Sequence, residues 1–470
     1  MITAEVLIIL WPTDYMHMAG KISASNFILS SLVFILLVVP HPVYSATDTR
    51  IFSLEQKIVE LKKQLAQSEQ ALAAAKQTIG QAEKPALDKI IMGPITIGGA
   101  VRVNYIYGDY SSSDGPSRGD QGGNVELDTF RINLSLKHEQ LIGELEYRWY
   151  NGYNFVHTAW LGYAFDDTSQ LQAGITRVPF GPGAYGVSQS YFFDQHYYLG
   201  LSDDMDFGVK YVRQTGPWDL AFAYFESSEG NGNGFSKDSA RYSYDAVEWR
   251  SGLDTNGNVI ASSSNGYTEK NQVNGRAIYH IEHRDSSTDI GLSLQVGELD
   301  GNGAKDGNHW AASVHLVNQN GPMKLAVQFT AYEFNISDDN ALGTAQLIPL
   351  GAFDFAWPVA AKAWVPAISL SYVLATPSLA WLDSITPYVE YSSIIKDHAD
   401  FNNSELITLG AAWASGGWYI YSESAYSNGN LFIGDNGDNY ANINQGVGDF
   451  GVNGNDEWNY RFNINFGYYF

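Results

Sequence analysis

Arg102, Arg131, Arg148, Lys210 and Arg276 stand at the polar positions of segments in which polar and apolar residues alternate. A row of fixed cations along one polar face draws small anions and slows cations without making or breaking bonds. Glu144, Glu146, Glu282 and Glu390 occupy the same face, so the row can equally close into neutralised pairs. Bond-making chemistry would fall to the histidines. His280 and His283 share one segment, and His157, His309 and His315 stand singly; a hydrolase would need one of them as a base near Ser and Asp. No Ser-containing elbow and no HExxH pair accompanies them, so polar lining is the expected role.

The alternation itself is the element that must position these charges. Val101, Val103, Tyr105 and Tyr107 alternate with Arg102, Asn104 and Ile106, while Phe130, Ile132, Leu134 and Leu136 alternate with Arg131, Asn133, Ser135 and Lys137. Gly143, Leu145, Tyr147 and Trp149 oppose Glu144, Glu146, Arg148 and Tyr150, and Ile290, Leu292, Leu294 and Val296 oppose Ser293 and Gln295. The last eleven residues, YRFNINFGYYF, put Tyr460, Phe462, Ile464, Phe466, Tyr468 and Phe470 on one parity and Arg461, Asn463, Asn465 and Gly467 on the other. Strict period two reads as strand, with one apolar and one polar face.

About sixteen such segments of roughly ten residues follow residue 95, the length of a tilted membrane-crossing strand. Short links such as HEQ, QTGP and ASGG take turns with long ones, among them 179–204, 227–271 and 427–456. Short turns on one side and long loops on the other are the asymmetry of an outer-membrane barrel. The expected fold is therefore all-β: an antiparallel transmembrane barrel over 95–470, apolar residues toward lipid and polar residues toward water.

Three segments precede the barrel. Lys21, the apolar run FILSSLVFILLVV, PHP and the small Ser45 and Ala46 form a secretory signal over 1–46, with Met18 an alternative start. Over 47–84, Ile51, Ile58, Leu65, Leu72 and Ile79 recur every seven residues, with Leu54, Leu61, Ser68 and Ala75 three later. That is a coiled-coil seam of about four heptads, expected in the periplasm, and its composition leaves dimer or trimer open. Residues 85–94 are the expected linker, with Pro85 stopping the helix.

The composition narrows the partners. A formal net charge of −24 opposes nucleic-acid binding, and the absence of cysteine excludes disulfides and thiolate metal sites. Neither cofactor nor metal is expected. The 12 Trp and 30 Tyr suit the aromatic girdles of a bilayer-spanning barrel.

RVPFG at Arg177–Gly181, the exported coiled coil and the terminal Phe470 together resemble the phosphate-selective porin O and P family and its coiled-coil-bearing relatives that pass dicarboxylates. The resemblance implies a sixteen-stranded homotrimer in the Gram-negative outer membrane, with small hydrophilic solutes, anions preferred, as its cargo. Phe470 would then be the signal read by the barrel assembly machinery. The third long loop would fold into the lumen, making Tyr185, Tyr191, Asp194, Gln195 and His196 candidates for the constriction. Two other functions stay open: a tether or adhesin, using the coiled coil and acidic loops that bind a partner or divalent cations, and a barrel hydrolase.

Overall fold

The computed structural model describes residues 90–110, 124–236, 238–253, 259–263, 265–340, 342–376, 379, 381–399, 401–430, 432–433 and 458–470. The signal segment and the coiled coil lie outside the described residues. Of the expected linker, Ile90–Met92 is a short strand that turns at Gly93 and pairs back on Ile95–Ile97.

Sixteen strands form the wall. They are β1 (Ile95–Gly108), β2 (Asn124–His138), β3 (Leu141–Trp149), β4 (Asn154–Asp166), β5 (Ser169–Arg177) and β6 (Met205–Thr215). Next come β7 (Trp218–Ser228), β8 (Gly266–Glu282), β9 (Ser286–Asn302), β10 (Gly307–Asn320) and β11 (Met323–Asn335). The wall ends with β12 (Lys362–Tyr372), β13 (Ser384–Lys396), β14 (Ser404–Ser415), β15 (Trp418–Asn428) and β16 (Asn459–Tyr469). Each pairs antiparallel with its neighbours in sequence, and β16 returns to β1 in a register running from Ala100 opposite Tyr469 to Gly108 opposite Arg461. The sheet is closed. Closure leaves no wall strand with an unpaired edge, the condition for putting strands in hydrocarbon.

The two faces differ as the alternation requires. On β9, Leu292, Leu294 and Val296 are 48%, 51% and 54% exposed on the outside, whereas Ser293 and Gln295 between them are 0% and 5% exposed. A sheet facing water outward would carry the opposite pattern. No helix among the described residues is long and apolar enough to cross a membrane.

The links also separate by side. At one end, turns of two or three residues join β2–β3, β4–β5, β6–β7, β8–β9, β10–β11 and β14–β15, and only the 373–383 link is longer. The other end carries loop 3 (178–204), loop 4 (229–265) and loop 6 (336–361), although the links 150–153 and 303–306 there are short. These three loops fold together. In loop 6 a hairpin pairs Leu347–Ala352 with Phe355–Ala360, and Leu350 and Gly351 also pair with Ala246 and Asp245 of loop 4. Tyr197 and Tyr198 of loop 3, Tyr242 and Tyr244 of loop 4 and Ile348, Leu350 and Trp357 of loop 6 share one buried cluster inside the mouth.

Candidate functional site

Loop 3 leaves the wall at RVPFG and crosses to the opposite side. Val178 and Phe180 are buried in the mouth cluster. Gly181 has φ +65, its N–H donates to Ser293 Oγ on β9 at 3.0 Å, and a Cβ there would lie 2.9 Å from Gln328 Nε2 on β11. Only glycine meets both demands without strain. Beyond it, Glu390 on β13 accepts hydrogen bonds from the Ser188 hydroxyl and Gln189 N–H, both at 2.5 Å, and from Ser369 Oγ at 2.9 Å. Glu423 on β15 accepts from Tyr191 N–H at 2.7 Å and from the Tyr388 hydroxyl. Gln195 N–H donates to Ser392 Oγ at 3.1 Å, and the His196 ring lies between Asp194 and Thr330, 2.8 Å from each. Asp194 Oδ2 also takes the Val187 N–H at 3.0 Å. The loop is thus clamped to β9, β11, β13 and β15, and the open space is left against β1–β6 and the adjoining β15 and β16.

That space holds two recesses. The first has about 1300 Å3 of open volume, counting the solvent it opens to, and is lined by Arg102, Arg131, Arg148, Arg461, Glu126, Asp128, Asp203, the loop residues Tyr185 and Tyr191 and a set of rings that includes Tyr150, Tyr242 and Tyr421. The second lies nearer the short turns, between Ser135, Glu144, Trp160, Gln172, Arg177 and Lys210.

The charges are paired, but unevenly. Arg102 Nε sits 2.7 Å from Asp128 Oδ2. Two arginines share one carboxylate: Arg148 Nε is 2.6 Å and Arg131 Nη1 3.4 Å from Glu146 Oε1. Each guanidinium also lies over a ring: Arg148 over Tyr242 at 4.4 Å, Arg131 over Tyr469 at 5.3 Å and Arg102 over Tyr191 at 5.8 Å. The ring faces hold the planar cations in place with their edges free for an anion. Burial, and then the charge of Asp128, holds the Tyr191 hydroxyl protonated well above its usual range. It donates to Asp128 Oδ1 at 3.0 Å, which ties the loop to the Arg102 pair.

Two of these side chains arrive through β-bulges. Arg102 pairs with Thr129 and Val103 with Leu127, which leaves Asp128 as the extra residue; Glu146 pairs with Thr158 and Tyr147 with Val156, which leaves His157. A bulge shifts the parity of a strand and re-aims a side chain. Asp128 therefore reaches the lumen from a position that strict alternation assigns to lipid.

The remaining expected residues distribute as follows. Lys210 Nζ donates to the Arg177 carbonyl at 2.7 Å, and Arg276 Nη2 lies 3.8 Å from Asp219 Oδ2 on the neighbouring strand β7. Glu282 ends β8 at the short-turn end, exposed and outside both recesses. Glu390 is 5% exposed and serves as a clamp for the loop. Tyr185 and Tyr191 reach the first recess, whereas Asp194, Gln195 and His196 are buried between loop and wall. Arg177 has the parity of the lipid-facing residues but ends its strand and lines the second recess; its Nε lies 2.8 Å from Asp203 Oδ1. Alternation missed Asp128, while Glu423 was within its reach, sharing a face with Tyr419 and Tyr421.

Among the histidines, His280 Nδ1 faces Asp289 Oδ1 at 2.7 Å, and His157 Nδ1 faces Thr158 Oγ1 at 2.8 Å. The His309 ring stacks on Phe334, and His315 lies buried behind Gly291. None of these contacts is a nucleophile–base pair with serine.

No protein-family model and no curated protein sequence matches the chain. Solved structures do. The outer membrane channel DcaP of Acinetobacter baumannii superposes with a TM-score of 0.50 at 10% identity, covering 82% of this chain and 100% of that one. The barrel has the fold of a porin. An OmpF of Salmonella typhi, solved with daunomycin, gives 0.48 at 11% identity over 80% of this chain and 97% of its own. An anion-selective porin from Comamonas acidovorans gives 0.47 at 12% identity over 80% and 99%.

Proposed function

We propose that this chain is an outer-membrane porin that lets small hydrophilic solutes diffuse passively, with a preference for anions. One observation carries the reading: a closed sixteen-stranded sheet, apolar outward and polar inward, is crossed by a clamped loop that leaves a wide recess beside a set of arginines. The outward belt is unfavourable in water and matched to hydrocarbon, which supports residence in the outer membrane. Arg131 and Arg148 share the single Glu146, and two guanidiniums on one carboxylate at the wall support the anion preference. Phosphate or dicarboxylate as the favoured cargo rests on the resemblance carried by RVPFG, the coiled coil and Phe470. A homotrimer, entry through the barrel assembly machinery by way of Phe470, and a periplasmic coiled coil belong to the same proposal.

Planar-bilayer recording of the purified full chain tests it. Stepwise conductance is expected, with a reversal potential under a KCl gradient on the anion side. Absence of steps would remove the channel, and a reversal potential on the cation side would remove the anion preference while leaving the channel. The mass of the detergent-extracted complex reports the trimer.

A further inference from the structure

Outside the passage, five carboxylates converge where the return of loop 3 meets loop 4 and the wall. Asp204, Asp206 and Asp245 each present an oxygen within 4.8 Å of the other two, and all three are 4% exposed or less. Glu229, the residue after β7, is 2% exposed beside them, and Glu269 on β8 accepts from Ala246 N–H at 2.9 Å. Arg241 reaches the group, its Nη1 3.1 Å from Asp245 Oδ2. One guanidinium faces five carboxylates.

Hydrogen bonds do not account for these anions. Asp206 Oδ2 accepts from Gln272 and Glu229 Oε1 from Tyr242 N and Ser243 N, but Asp204 Oδ1, Asp206 Oδ1 and Glu229 Oε2 are buried without a partner. A small cavity of about 10 Å3, room for one water-sized sphere, lies on one side of the group, where Asp245 and Glu269 meet the apolar wall of Leu199, Leu201 and Phe334.

We propose that this chain binds one divalent cation of calcium chemistry at the junction of loops 3 and 4 with β6 and β8. Calcium takes six to eight oxygens at about 2.3–2.6 Å, so oxygens less than about 5 Å apart can share one ion. The ligand set is oxygen only, which suits a hard cation. Magnesium usually keeps several of its waters, and this site is too closed to admit them. The ion would join Asp204 to loop 4 beside Asp203, which holds Arg177 and, at 2.7 Å, the Tyr242 hydroxyl at the edge of the first recess. It would set the shape of the passage without lining it.

Terbium luminescence excited through tyrosine tests the site, with Tyr242 and Tyr244 beside it as antennae. Lipopolysaccharide-free full chain, refolded in detergent, is titrated with terbium and then with calcium or magnesium. Expected is one saturable terbium per chain, displaced by calcium at concentrations at least tenfold below those of magnesium, with affinity lowered at least tenfold in Asp206→Asn. Asp204→Asn, whose side chain makes no hydrogen bond in the structure, carries the test if Asp206→Asn does not fold. No saturable luminescence, or equal affinity in wild type and the folded variant, would overturn the proposal and leave a cluster of protonated carboxyls. Displacement by magnesium as readily as by calcium would overturn its calcium character.

Discussion

Phe470 and Gly99 close the barrel by exchanging both backbone hydrogen bonds, Gly99 N–H to Phe470 O at 3.0 Å and Phe470 N–H to Gly99 O at 3.1 Å. The Phe470 ring folds over the glycine, so that a Cβ at 99 would lie 2.6 Å from Phe470 Cζ. The terminal aromatic residue therefore fills the place where a side chain on β1 would stand. Gly99→Val should displace the ring and cost about 1–3 kcal/mol, the usual penalty of overpacking. Phe470→Ala should leave the strand pairing but uncover Gly99. Heat-modifiable mobility on gels measures both: Gly99→Val is expected to unfold at lower temperature, and an unchanged transition would show that the Phe470 ring and the Arg131 carbonyl, each 2.6 Å from the added Cβ, can both give way.

The arginine pair at Glu146 predicts selectivity changes of opposite sign. Arg148→Ala leaves Arg131 and Glu146 balanced, and Glu146→Gln leaves two free arginines. One unit charge at 4 Å in water is worth about 1 kcal/mol, roughly fivefold in relative permeability. The reversal potential should move toward cations in Arg148→Ala or Arg131→Ala and toward anions in Glu146→Gln. Shifts of the same sign in both, or none, would place this group away from the narrowest point.

How much of this was readable beforehand follows from where each residue gets its direction. Leu292, Leu294 and Val296 owe theirs to the two-residue period of a strand, and Arg102, Arg131, Arg148 and Lys210 to the same period on the other face. Asp128 and His157 owe theirs to bulges, whose one-residue slip leaves no mark in composition, so the partner of Arg102 stayed hidden. Glu390 could be assigned to the lumen side but not to its task, because that depends on where Ser188 and Gln189 arrive after crossing the barrel. Such long-range contacts follow no period. The close approach of Gly181 to Ser293 and Gln328 is another such contact, although the motif that carries the resemblance includes it.

The two clamps make loop 3 a fixed partition. Glu390→Ala removes the acceptor of three hydrogen bonds and leaves Ser188, Gln189 and Ser369 unpaired in a buried place. Bonds to a charged group are worth about 1.5–3 kcal/mol each. The loop should detach locally while β13 stays in the wall, since Glu390 pairs there through its backbone. Single-channel traces of Glu390→Ala are expected to show frequent closures and a broad spread of open levels where wild type has one. A steady single level would mean that Glu423 and His196 suffice to hold the loop.

The outward face admits the most direct test of the membrane assignment. Leu294 stands at the middle of β9, half exposed, between the inward Ser293 and Gln295. An arginine on the lipid face at the bilayer midplane costs about 2–4 kcal/mol. The same arginine on a surface in contact with water costs almost nothing, because its charge stays hydrated. Leu294→Arg, refolded into vesicles and titrated with urea, should therefore lose its fold at a clearly lower denaturant concentration than wild type. Equal midpoints would mean that Leu294 meets water, and the apolar belt that argues for lipid would lose its central member.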